Sequence, residues 1–145
     1  IPMSDININQ NEQAREAERA VLGGLMLETQ RFDTVIQVIK ENDFDGKDHQ
    51  IIFQSMSELI EENKPLDPLT VSEKLDNKNS LNKVGGKEYL IELATSTPSA
   101  ANLEAYAEII RQRSITRKLM KANSDISEWI SNPQGQDGVS LLIKQ

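Results

Sequence analysis

The sequence predicts an all-α fold: a compact multi-helix head, then a long helix opening a hairpin whose second arm is cut short. Three observations lead there. Aromatic residues make up only 4% of the 145 residues, so Leu, Ile, Val and Ala must fill the interior, a composition that suits helices better than strands. Apolar residues recur at helical spacing in one segment after another, and no strand-like run exceeds a few residues. From Pro98 to Ser131 nothing interrupts the helical pattern. The predicted divisions are a disordered segment or cloning remnant at 1–11, a globular head at 12–97 and a helical hairpin at 98–145.

The elements follow in order. Ala14, Ala17, Val21 and Leu25, with Leu22 and Met26, form the stripe of a first helix from Glu12 to about Glu28. Gly23 and Gly24 sit inside it, each costing ~1 kcal/mol relative to Ala, which points to close approach of another backbone. Phe32, Val35, Ile36 and Ile39 predict a short helix to Lys40. A turn over 41–47 carries one apolar anchor, Phe44. A third helix begins near Asp48, whose carboxylate suits the free N–H groups of a first turn, and Lys64-Pro65 closes it. Asp67 as cap and Pro68 at the first helical position start a fourth, ending near Leu75. A polar loop over 76–80, a turn at 81–84 and the Gly85-Gly86 break precede a fifth helix with Tyr89, Leu90, Leu93 and Ala94. Thr97 or Ser99 caps the long helix, and Asn132-Pro133 stops it. At ~1.5 Å per residue that helix is ~50 Å long, too long for a head of ~13 Å radius to contain. Val139 to Ile143 begins the return arm.

On a helical wheel the long helix carries two apolar stripes, rotated by roughly 140°. Leu103, Tyr106, Ala107 and Ile110 should pack on the head. Ile115, Leu119, Ala122, Ile126, Trp129 and Ile130 should pack either on the returning arm or on another molecule. In the distal half the face that continues the first stripe is basic: Arg111, Arg113, Arg117, Lys118 and Lys121 fall within about 80° of its centre.

Charge separates along the chain in the same way. Residues 1–100 carry ten basic and eighteen acidic side chains, net −8; residues 101–145 are net +1, and the whole chain is −7. Arg111, Arg113, Arg117, Lys118 and Lys121 contain no acid among them. They read as a solvated helix side, or as a dock for an acidic partner helix or for the acidic head of a neighbouring copy. A net charge of −7 argues against a dedicated nucleic-acid binder; single-stranded DNA binding through the basic stripe is the alternative to an interaction module.

The chemistry of catalysis is missing. With no Cys there is no thiolate metal site or thiol nucleophile. Gly86-Lys87-Glu88 fails as a phosphate loop, because Glu follows the Lys and Leu81 stands where the first Gly belongs. His49, the sole histidine, has no second His or Cys for a metal site and reads as a helix-start residue bonding locally. Glu61-Glu62 reads as solvated charge. No catalytic, cofactor or metal residue is expected. No apolar run approaches ~20 residues and no secretory signal opens the chain, so a cytoplasmic location is expected.

Five ordered blocks carry a resemblance. They are Glu18 followed by residues 20–27 (AVLGGLML); Asp43-Phe44 with His49 and Ile52-Phe53; residues 66–70 (LDPLT); residues 84–90 (VGGKEYL); and residues 97–107 (TPSAANLEAYA). Together they resemble the N-terminal domain of the bacterial replicative DNA helicase, the DnaB family, across most of residues 12–135. Asp45 departs from the aromatic usual there. The resemblance implies an all-α head plus hairpin, with copies pairing through hairpins into a dimer and, in the parent, a trimer-of-dimers collar above a hexameric motor. It implies docking of the primase C-terminal domain and a helicase loader, and a parent that unwinds duplex DNA. ATP and Mg²⁺ would belong to a motor domain absent here, leaving this segment non-catalytic, with DNA engaged only through the parent and no membrane contact. Within that frame Ile115, Leu119, Ala122, Ile126 and Trp129 are the expected self-association residues. Arg111, Arg117, Lys118 and Lys121 are the expected partner-docking residues.

Overall fold

A computed structural model describes residues 3–97 and 99–132, with side chains from residue 11 onward. The helices are α1 (Met3–Leu27), α2 (Phe32–Val35), α3 (Lys47–Glu61), α4 (Pro68–Asn77), α5 (Gly86–Ser96) and α6 (Leu103–Ser131), with single 3₁₀ turns at 29–31, 41–43 and 82–84. No strand occurs among the described residues. The chain divides into two compact units, Ile1–Arg113 and Ser114–Gln145. The boundary falls inside α6, so residues 99–113, assigned to the hairpin from sequence, belong to the first unit. The return arm expected at 139–143 lies outside the described residues.

α1 organises the first unit. Ala14, Ala17, Val21, Leu22, Leu25 and Met26 are all buried, as their spacing predicts. The helix packs on α5 and α3, and α4 packs against both of those. Gly23 is where α1 and α5 meet: a Cβ there would run into the Leu93 carbonyl and the Thr97 side chain. The close backbone approach expected from the glycine pair is therefore real at Gly23. At Gly24 the obstacle is instead the Leu103 side chain. α1 starts at Met3, so residues 3–11, expected as a disordered segment, continue the helix.

Three phenylalanines join the aliphatic core. Phe44 and Phe53 lie 5.0 Å apart and Phe32 and Phe53 5.4 Å apart, ring centre to ring centre. The Phe44 anchor is fully buried, which pins the turn before α3. α2 is shorter than predicted. It stops at Val35, a turn carries the chain to the buried Ile39, and Ile36 is left exposed.

The helix ends obey local chemistry. Asp67 accepts the Thr70 N–H at 2.8 Å while Thr70 Oγ1 accepts the Asp67 N–H at 3.1 Å, with Pro68 next in the chain. α3 and α4 both close on an asparagine of positive φ. Asn63 (59°) lets Lys64 N–H reach the Leu59 carbonyl at 2.9 Å, and Asn79 (58°) lets Ser80 N–H reach Leu75 at 2.9 Å. Asn63 therefore ends α3 before Lys64-Pro65 can, and α4 extends to Asn77, into the predicted loop. Gly85, at φ 102°, makes the break before α5. Thr97 donates to the Leu93 carbonyl at 2.9 Å, so it finishes α5 instead of starting α6. A turn over 99–102 intervenes, and α6 begins at Leu103.

Candidate interaction surfaces

The two stripes predicted on α6 have different fates. Leu103, Ala107 and Ile110 are buried and Tyr106 half-buried, closing the core of the first unit. From Ile115 to Ser131 no residue is buried. Ile115, Leu119, Ala122, Ile126 and Trp129 fall within an arc of about 80° at ~100° per residue. Leu119 is 66% exposed and Ile130 75%. Ile115 and Ala122 are exposed, while Ile126 and Trp129 are half-buried. Met120, at 67% exposure, adds an apolar side chain beside the stripe. An amphipathic helix whose apolar side faces water offers area that only another surface can bury.

The basic residues do not behave alike. Arg111 donates to the Val38 carbonyl at 3.3 Å and Arg113 to Asn11 Oδ1 at 3.0 Å. Both thereby fasten α6 to the first unit, and Arg111 is a tether as well as a surface charge. Lys121 pairs with Asp125 at 3.2 Å, one turn on, in an exposed position. Such pairs contribute a few tenths of a kcal/mol and exchange partners readily. Lys118 is exposed and Arg117 half-buried.

Sequence reasoning missed a polar cluster joining α1, α3 and α5. His49 is fully buried and bonds across the fold, not locally as expected. Its Nδ1 lies 2.6 Å from Glu18 Oε1, and its Nε2 lies 2.6 Å from the Tyr89 hydroxyl. Nδ1–H donates to the carboxylate, which leaves Nε2 to accept from Tyr89. The His49 and Tyr89 rings stack at 5.9 Å, 6° from parallel. Glu18, 2% exposed, also accepts the Asp45 N–H at 2.6 Å. The main chain at Asp45 therefore has a role in this turn whatever its side chain. At the edge of the cluster Arg15 grips Asp48 with two parallel bonds of 3.0 and 2.8 Å. That grip holds the Asp48 carboxyl at about 2, well below its ordinary value. Burial pushes the Tyr89 phenol above its ordinary range. The cluster welds three helices together, each polar group answered by another. It has no access for a substrate to His49, and it reads as the brace that fixes the surface of α1 and α5.

A second cross-fold tie, Arg31 to Glu104, runs from the turn after α1 to the first turn of α6. Among the described residues no helix is long and apolar enough to cross a membrane.

With this geometry in view, comparison with known proteins is specific. Residues 10–112 match the family described as the DnaB-like helicase N terminal domain. The replicative DNA helicase DnaB of Buchnera aphidicola subsp. Baizongia pistaciae is 41% identical over 127 residues, covering 88% of this chain and 27% of that protein. The chain therefore spans little more than a quarter of that relative. Among solved structures, the N-terminal domain of DnaB helicase from Mycobacterium tuberculosis superposes with a TM-score of 0.83 at 29% identity, covering 88% of this chain and 90% of that one. The N-terminal domain of DnaB helicase from Helicobacter pylori, described together with its interactions with primase, gives 0.75 at 25% identity, covering 91% and 100%.

Proposed function

The chain belongs to the DnaB-like helicase N-terminal domain family, and from that premise we propose that it acts as the collar of a replicative DNA helicase. In this reading it is a scaffold: copies pair through the α6 arm, and the assembled surface docks the primase C-terminal domain and a helicase loader. Unwinding of duplex DNA, with its ATP and Mg²⁺, belongs to the remaining length of the parent, in which six copies form the ring. In this reading the segment supplies no catalytic residue.

The observation that carries the reading is the α6 stripe. Ile115, Leu119 and Ile130 are exposed on a helix whose earlier apolar residues are buried. An intermolecular helix–helix contact accounts for that switch at the point where the core ends. Primase enters through the Helicobacter pylori relative, whose structure is described with primase interactions. The cations Arg111, Arg117, Lys118 and Lys121 are the residues assigned to partner docking.

The test is direct. Mixing this chain with the primase C-terminal domain and measuring mass by light scattering should give a complex heavier than either component. Reversing Arg117→Glu and Lys118→Glu together should weaken it at least tenfold. If no complex forms at tens of micromolar, the docking assignment fails.

A further inference from the structure

The first unit has a groove of about 760 Å³ between α1, α5 and the first turns of α6. Its lining includes small and apolar side chains, Ala17, Ala20 and Leu93, and three glutamates, Glu12, Glu16 and Glu92. Arg19 also lines it, but is paired with Glu16 at 2.8 Å. Glu12 and Glu92 are exposed and have no ion-pair partner among the described residues. The result is a trough with an apolar floor and an anionic rim.

The same chain carries the complementary object. On the arm, Arg117, Lys118 and Lys121 lie on one helix face, within about 100° of arc at ~100° per residue. No acid stands between Arg111 and Lys121 in the sequence. Lys and Arg lay aliphatic stems along apolar surface while their charged ends reach for acids, which is what an apolar floor between glutamates accepts. From Glu12 to Ala20, α1 offers ~12 Å of groove, enough for the two turns that carry these cations.

We propose that this groove receives the basic face of α6 from a second copy, Glu12 and Glu92 meeting Arg117, Lys118 and Lys121. The proposal rests on the reading that these cations form a docking surface, and it makes the groove of a second copy an occupant that competes there with the primase domain. The basic face is rotated away from the apolar stripe, so both can be occupied at once. A groove-to-arm contact is also heterologous, one surface against a different one, so it can add copies beyond a pair.

The experiment uses charge reversal in both surfaces, with sedimentation velocity over a range of concentrations at low and high salt. Glu12→Lys/Glu92→Lys should weaken association at low salt about tenfold. Lys118→Glu/Lys121→Glu should do the same, and the four changes combined should recover most of the loss. High salt should bring wild type down to the level of the variants. All four positions are exposed, and circular dichroism verifies that each variant stays folded. Association unaffected by either reversal overturns the proposal, as does failure of the combined variant to recover. A salt-sensitive effect that does not depend on protein concentration overturns it as well, because it assigns the groove to the chain's own arm. The two readings separate cleanly. An arm reversal that loses primase-domain binding but not self-association removes the groove as partner and keeps the docking surface. A reversal that changes neither removes both.

Discussion

Replacing Glu18 tests the brace that joins α1, α3 and α5. In Glu18→Ala the His49 Nδ1–H loses its acceptor at 2.6 Å, and the Asp45 N–H loses another at 2.6 Å. His49 is fully buried, so water cannot replace the bond. Arg15 Nη1, a donor 3.3 Å from Nδ1, can replace the carboxylate only if the imidazole gives up its Nδ1–H, with Nε2–H then donating to the Tyr89 hydroxyl. A buried donor left without a partner costs about 1–3 kcal/mol. The Asp45 N–H, in an exposed residue, recovers part of its loss from water. With the lost packing of the carboxylate stem, the total is about 3 kcal/mol, near 10 °C in Tm for a chain of this size. Glu18→Gln keeps an acceptor of the same shape and loses only the charge, so it should cost about half as much. Urea unfolding followed by far-ultraviolet circular dichroism measures both. A Glu18→Ala protein within 0.5 kcal/mol of wild type would refute the brace. Equal losses for Ala and Gln would show that the acceptor is not what matters.

Three further outcomes follow from the same structure. Gly23→Ala, which would stabilise an isolated helix by ~1 kcal/mol, should here destabilise by at least 2 kcal/mol, because its methyl meets the Leu93 carbonyl; chemical denaturation gives the sign at once. Asp48 is held at about 2 by Arg15. A carboxyl lowered in the folded state contributes its stability above its ordinary value near 4 and loses it as pH falls toward 2. Asp48 is partly solvated, so the contribution is discounted to ~1 kcal/mol, and the gap between wild type and Asp48→Asn in denaturant titrations should be full at pH 6 and close by pH 2. Single-stranded DNA should show no mobility shift with this chain at physiological salt, given a net charge of −7; a salt-sensitive affinity below micromolar would restore the DNA-binding alternative.

The helical class, the buried stripe of α1, the Phe44 anchor and the Asp67–Pro68 cap were readable because each is a local rule written in consecutive residues. The two stripes of α6 were readable for the same reason, and the exposed one marks where the core ends. What local rules do not contain is pairing at a distance. Glu18 lies between Ala14, Ala17 and Val21 on a stripe that is otherwise apolar, and a charge on a buried stripe demands a buried partner. That signal points to a partner without saying which, and His49 and Tyr89 lie 31 and 40 residues apart from their respective bonding partners in the cluster. The helix ends erred where two stop signals compete. Asn63 closes α3 ahead of Pro65 because a left-handed asparagine satisfies the last carbonyls, whereas proline only forbids continuation. The groove escaped because its walls come from three helices, none of which looks concave alone.

The central claim is that the exposed stripe of α6 is a contact surface between copies. Sedimentation equilibrium on wild type and on Ile126→Glu/Trp129→Glu tests it most directly. At high salt, where the charge-driven groove contact is screened, wild type should show a concentration-dependent mass above that of one chain, and the double variant should fall to the single-chain mass while its unfolding transition stays unchanged. A variant with the wild-type mass at every concentration would mean that the stripe is covered within one chain, and the account of the arm would be wrong.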